Sequence, residues 1–268
     1  MSEFLIPSPT GNTRFFAVVG DPVIQVKAPQ LLNKVFAEEG VDAVMIAVHA
    51  RPEQLATVIR GLQAMENFSG MLITIPHKFA AREFADKVSL AVQVSGSTNA
   101  LRRNEQGVWE ADNFDGAGFA LGMQRKGYEL AGKRVVMAGG GGAGSSIAAA
   151  LLQAGIDRLY LQEPDTVKAQ DLLARLDQHW PGRCEVAQPQ HLKLVDIAIN
   201  ATPLGLSDED PLPIDLANLS AGALVADIIM QPVETRLLRE AHAAGHPVQP
   251  GSYMLNEQLG CYKTFFGI

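Results

Sequence analysis

The chain of 268 residues has only two cysteines, Cys184 and Cys261, far apart and without metal-ligand spacing. That excludes a disulfide-stapled scaffold and a cysteine-held metal, and it predicts a reducing, cytoplasmic setting. Basic residues are in deficit, 22 against 29 acids, for a net charge of −7. The deficit argues against nucleic acid or an anionic membrane as the main partner. No apolar run approaches the ~20 residues that span a bilayer. Residues 2–7 show no basic stretch followed by a long apolar core, so no signal peptide is expected. The six histidines fall in no ligand spacing, and no metal is expected. His242 and His246, four apart, read as a charge feature on the polar side of a helix near its C-terminus. The hydrolase pattern Gly-x-Ser-x-Gly is missing around Ser145. No solenoid repeat and no low-complexity segment occurs.

What remains is a chain 47% hydrophobic and 19% charged, the balance of a well-buried α/β protein of one large or two ordinary domains. Short apolar runs alternate with helical periods. Strands are expected at 14–19, 43–48, 70–75 and 108–112, with helices at 28–39 and 52–64 between them. This alternation predicts a mainly parallel sheet. A helix over 116–126 bridges to a second set of buried strands at 135–138, 158–162, 195–200 and 222–229. Helices follow at 235–244 and 253–265. The expected architecture is two open-sheet α/β domains with a ligand cleft between them, the C-terminal one of Rossmann type.

The most informative stretch runs from Val135 to Ser146, an apolar segment entering Gly139-Gly140-Gly141-Gly142 and leaving through Ala143 into a small-residue helix. Strand, glycine turn and helix in that order suit a dinucleotide pyrophosphate. The glycines allow close backbone approach, and the helix N-terminus offers N–H groups and partial positive charge. Gly139, Gly141, Gly142 and Ala143 are the candidate contacts. A second strand ends at Glu163, 24 residues after Gly139, where a carboxylate accepts bonds from the adenosine ribose. With Asp165 also acidic and no base before Lys168, NAD is favoured over NADP, although Arg158 or Lys168 folding back would reverse this. Asp165 alternatively caps the helix beginning at Thr166. Asn200 and Thr202, at the carboxyl end of a buried strand, are expected to touch the cofactor or to cap a loop.

Six further segments narrow the reading. Gly20-Asp21-Pro22-Val23-Ile24, Thr74-Ile75-Pro76-His77-Lys78, Gly96 to Leu101, Asp112 to Phe119, Asn200 to Gly205 and Met254 to Gln258 occur in this order. With the glycine turn, they resemble the shikimate/quinate dehydrogenase family from about Phe16 to Phe266. The resemblance implies a substrate domain of residues 1–118 plus 252–268 and a dinucleotide domain of 119–251, acting as a monomer or homodimer. It implies hydride transfer at a ring hydroxyl or ketone of a small molecule, with Lys78 and Asp115 as the catalytic pair. The chemistry agrees: oxidising an alcohol needs a polar group to take the hydroxyl proton, and a lysine beside a carboxylate suits the task. Asn99 and Gln258 match hydroxyl-binding residues, Thr74 lies beside them, and Gly251 joins the cofactor set.

The departures are as informative. Where the family carries a Ser-x-Ser pair for the substrate carboxylate, this chain has Val26 and Ala28. The tyrosine that reaches the same carboxylate is replaced by Met230. Leu72 stands for an asparagine and Phe114 for a threonine. Lost charge-assisted bonds of about 1.5–3 kcal/mol each would weaken a carboxylate substrate strongly. The expectation is therefore an atypical family member whose substrate differs from shikimate. Two alternatives stand beside it: an ordinary shikimate or quinate dehydrogenase with its carboxylate site rebuilt, through Lys27 or Tyr253, and a non-catalytic metabolite sensor. The paired Lys78 and Asp115 speak against the sensor.

Overall fold

The computed structural model describes residues 8–268, and residues 2–7, examined above for a leader, lie outside the described residues. Its contacts divide the chain into two units, Met1–Phe114 with Leu259–Ile268, and Asp115–Gln258. The domain limits expected from the sequence, 118/119 and 251/252, differ from these by a few residues.

The first unit is built on β1 (Arg14–Gly20), whose uninterrupted apolar run suits a strand buried on both faces. Alternate residues face opposite ways, so Phe16 and Val18 enter one apolar core while Ala17 and Val19 enter another. Helix α1 (Ala28–Glu38) starts on Pro29 and buries Leu32, Val35 and Phe36. Its Asn33 side chain trades two hydrogen bonds with the backbone of Met45, at 2.9 and 2.8 Å, fixing α1 on β2 (Ala43–His49). The helix expected over 52–64 divides into a tight 3₁₀ turn at Pro52–Gln54 and α2 (Leu55–Gln63). Strand β3 (Phe68–Ile73) pairs parallel to β1.

The sheet then departs from the mainly parallel expectation. Beyond β4 (Lys87–Val88) and α3 (Leu90–Ser95), β5 (Ala100–Arg103) and β6 (Trp109–Asp112) form an antiparallel hairpin. Its turn is set by Asn104, whose Oδ1 accepts from Gln106 N and Val108 N, and by Gly107 at φ 80°. The order is β2-β1-β3-β5-β6-β4.

The second unit opens with α4 (Asp115–Arg125) and continues through β7 (Arg134–Ala138), α5 (Gly142–Gln153), β8 (Arg158–Gln162), α6 (Thr166–Asp177) and β9 (Cys184–Val186). It returns through β10 (Ile197–Asn200), β11 (Leu224–Asp227), α7 (Arg236–Ala243) and β12 (Val248–Gln249). All six strands are parallel in the order β12-β11-β10-β7-β8-β9. The strand order reverses between β7 and β10, the point at which open α/β sheets take ligands. Helix α8 (Ser252–Phe266) contributes residues to both units.

Two details correct or complete the sequence reading. His246 lies past the end of α7, buried with Nδ1 2.9 Å from Ala223 O, so it is a core histidine and not a helix-end charge. Cys184 is half-buried, and burial together with the Asp177 charge pushes its thiol up to about 12.

Helix α4 lies on α5 through glycines. A Cβ at Gly116 would fall 2.1 Å from Ser146 O, and one at Gly118 would fall 2.6 Å from Gln258 Cγ and 2.7 Å from Met254 O. Gly116→Ala is therefore expected to cost about 1–3 kcal/mol as an overpacking change, measured as a lowered urea midpoint at unchanged m-value.

Candidate active site

The first unit gathers one set of expected residues. Gly20 leaves room for Thr74, since a Cβ there would sit 2.3 Å from Thr74 Cγ2. Past β3 the chain turns through Thr74, with His77 N donating to Thr74 O at 3.0 Å, and His77 itself is buried on Ala50 O. Lys78 follows, half-buried, its carbonyl taking Thr98 N at 2.8 Å. Asn99 is buried just ahead of β5. Its Oδ1 accepts Phe114 N at 2.9 Å, and its Nδ2 donates to the Tyr262 hydroxyl at 3.2 Å.

Tyr262 was not singled out in the sequence, though it stands one helical turn after Gln258. Its ring meets Phe114 edge-on at 5.6 Å. Both belong to the apolar cluster that holds Leu72 and packs against Val26 and Ala28. Four substitutions recorded in separate segments, Val26, Ala28, Leu72 and Phe114, thus share one apolar body with Tyr262 and Phe266. Lys27, between Val26 and Ala28, is exposed.

The second unit gathers the rest. Asp115 opens α4, where the helix dipole favours an anion, and is only 3% exposed. Gln258 Nε2 donates to its Oδ1 at 2.9 Å, so these two expected residues meet. Met230 lies 40% exposed past β11. Tyr253 lies under Lys126 Nζ, 4.3 Å from its ring centre.

At the glycine turn, only Gly139 has a left-handed backbone, φ 97°, and a Cβ there would fall 2.7 Å from Ala201 O. A Cβ on Gly144 would meet Gly139 O at 2.2 Å. Gly141, by contrast, faces open space, and no side-chain bond caps α5 there. Gly142 and Ala143 form the first turn of α5. A bare glycine surface at a helix N-terminus fits a pyrophosphate.

Glu163, past the end of β8, is fixed. Its Oε2 accepts Gly140 N at 2.8 Å and pairs with Lys168 Nζ at 2.9 Å, while Oε1 accepts Asp165 N at 3.2 Å. Burial opposes ionisation, but the bonds from Lys168, Gly140 and Asp165 outweigh it and hold the carboxyl below its ordinary 4.5. Asp165 caps α6 as read, its Oδ1 accepting Val167 N and Lys168 N. Asn200 is buried, with Thr202 N and Oγ1 on its Oδ1 at 3.0 and 2.7 Å. Gly251 abuts β11's exit, where a Cβ would fall 2.5 Å from Ile228 O. No metal-holding group of His, Cys, Asp and Glu occurs among the described residues, and no helix among them is long and apolar enough to cross a membrane.

Comparison with known proteins places the chain among relatives. Residues 18–101 match the family model described as the shikimate dehydrogenase substrate binding domain. The chain is 34% identical to a shikimate dehydrogenase (NADP(+)) of Rubrobacter xylanophilus over 255 residues, 93% of this chain and 89% of that one. Among solved structures it resembles shikimate 5-dehydrogenase of Thermus thermophilus in complex with NADP(H) and shikimate. That match has 28% identity and TM-score 0.83, covering 96% of this chain and 94% of the other. It also resembles ligand-free 5-ketofructose reductase of a Gluconobacter species, at 28% identity and TM-score 0.80 over 92% and 90% of the two chains. These relatives make the chain a dinucleotide-dependent oxidoreductase of the CH–OH class. Within that class, the chain belongs to the shikimate dehydrogenase family.

The lowered Glu163 value carries a stability signature. Its contribution is complete above the ordinary carboxyl value and is lost as pH falls through the lowered folded value. The stability gap between the native chain and Glu163→Gln should accordingly shrink in urea titrations as pH drops below 4.5; a gap that stays constant would contradict the assignment.

Proposed function

We propose that this chain transfers hydride reversibly between a nicotinamide dinucleotide, preferably NAD, and a ring hydroxyl or ketone on a substrate without a carboxylate at the position where shikimate has one. The observation carrying this reading is the shared apolar cluster of Val26, Ala28, Leu72 and Phe114 with Tyr262. A carboxylate against such a surface would lose its charge-assisted partners, at about 1.5–3 kcal/mol each. The similarity to a 5-ketofructose reductase, named for a keto sugar, supports the same direction.

Lys78, in the first unit, and Asp115, at the head of the second, are each assigned to handling the proton. In oxidation, Lys78 Nζ takes the hydroxyl proton as the carbon gives up hydride, which requires lysine to react as the neutral amine. Asp115 accepts a bond from Gln258 Nε2, which fixes its carboxylate to the helix that carries Gln258. Thr74, Asn99 and Gln258 bind substrate hydroxyls. Gly139, Gly141, Gly142, Ala143, Asn200, Thr202 and Gly251 shape the dinucleotide surface. When bound, the dinucleotide supplies the hydride acceptor or donor.

The preference for NAD rests on Glu163 and its engagement of Lys168. A 2′-phosphate brings about −1.5 to −2 charge to a carboxylate already committed to the nearest base.

Absorbance of the reduced dinucleotide tests the reading directly, with NAD and NADP each offered shikimate, quinate and a panel of carboxylate-free cyclitols. Turnover of a neutral ring compound, with shikimate and quinate silent, is expected. Shikimate turnover at submillimolar KM would contradict the substrate assignment and restore an ordinary shikimate dehydrogenase. Lys78→Ala should lower turnover by about 10²–10⁴-fold and keep dinucleotide binding. Restoring the pair with Val26→Ser and Ala28→Ser should raise kcat/KM on shikimate by about tenfold or more.

A further inference from the structure

The carboxyl edge of the second sheet holds a buried acid that the reaction above leaves unused. Asp227 ends β11 and is 1% exposed. Its Oδ1 accepts Ile229 N at 2.9 Å, and its Oδ2 accepts Asn200 Nδ2 at 3.1 Å and Thr235 Oγ1 at 2.8 Å. All three partners are donors, and no cation is among the groups acting on it. Burial pushes its carboxyl above the usual range against these three bonds.

Each partner controls a different segment. Ile229 lies in the loop leaving β11. Thr235 caps α7, its Oγ1 accepting Leu238 N. Asn200 ends β10 and holds the next loop, through Thr202 on its Oδ1 and Leu204 O on its Nδ2 at 2.9 Å. The two loops have no slack. Ala201 presses on Gly139 of the glycine turn, and Ile228 and Ile229 press on Gly251.

Sheet order says what these loops serve. Strands β10 and β11 lie on the side of β7 away from β8. A dinucleotide held by its pyrophosphate at the turn after β7 and by its adenosine ribose at Glu163, after β8, would direct its nicotinamide half toward β10 and β11. We propose that Asp227 is a positioning residue for the nicotinamide half of the cofactor, acting through Asn200, Thr235 and the two loops they hold. The proposal rests on the dinucleotide reading above. A carboxylate is required because its partners are all donors. In Asp227→Asn an amide NH₂ must face one of them, mispairing a buried donor.

The test compares NADH with ADP-ribose, which shares the adenosine half and lacks nicotinamide, by titration calorimetry on the full chain. Asp227→Asn is expected to weaken NADH by about tenfold and to leave ADP-ribose within about twofold. Thr235→Val should repeat this pattern, and Thr235→Ser, which keeps the hydroxyl, should restore native NADH binding. Equal loss of both ligands in Asp227→Asn and Thr235→Val, or no loss in either, would overturn the proposal. A native chain that binds neither ligand would remove the dinucleotide reading and this proposal with it.

Discussion

At the carboxyl edge of the second sheet, backbone runs against backbone with no room for one methyl group. Gly139 lies against Ala201, Gly144 against Gly139, and Gly251 against Ile228. Everything at that edge inherits this constraint. Only glycine fits at these three points, so the exits of β7, β10 and β11 approach through bare backbone. Polar groups between them must then be satisfied by one another, as Asp227, Asn200 and Thr235 are. The same closeness leaves Gly141 facing open space at the start of α5, a surface on which a phosphate meets only backbone.

Charge is placed differently in the two units. In the second, two acids stand past the end of β8, where Glu163 is bound by Gly140 and Lys168 and Asp165 caps α6. In the first, Val26, Ala28, Leu72 and Phe114 come from separate segments and coalesce. Thr74, Lys78 and Asn99 are the polar residues of that unit proposed above to meet the substrate. Asn99 in turn is held by Phe114 N and the Tyr262 hydroxyl. Asn99 is thereby tied by hydrogen bonds to two members of that apolar body.

Much of this was legible in the chain itself. Strands β1, β7, β8 and β10 are buried on both faces and so read as apolar runs. The Asp165 cap is readable from sequence, and the glycine turn with the six further ordered segments points to the family. The hairpin of β5 and β6 was half missed because Ala100–Arg103 is short and carries two arginines. Strand β12, at two residues, has no periodicity to read. His246 was misplaced because α7 stops at Ala243 and the chain turns inward. The four apolar replacements were each visible, but their meeting with Tyr262 depends on long-range packing of β3, α1 and α8, which local pattern does not encode. The Asp227 hub was equally hidden: its partners lie 27 and 8 residues away.

The central claim is that the substrate surface rejects a carboxylate and keeps its hydroxyl readers. It is tested most directly by calorimetric titration of shikimate against its neutral methyl ester in the presence of saturating NADH. The two ligands share ring and hydroxyls and differ in one charge. The account predicts that the ester binds at least as tightly as the acid. An acid that binds about tenfold more tightly than its ester would contradict it, and would mean that the carboxylate site has been rebuilt from other residues.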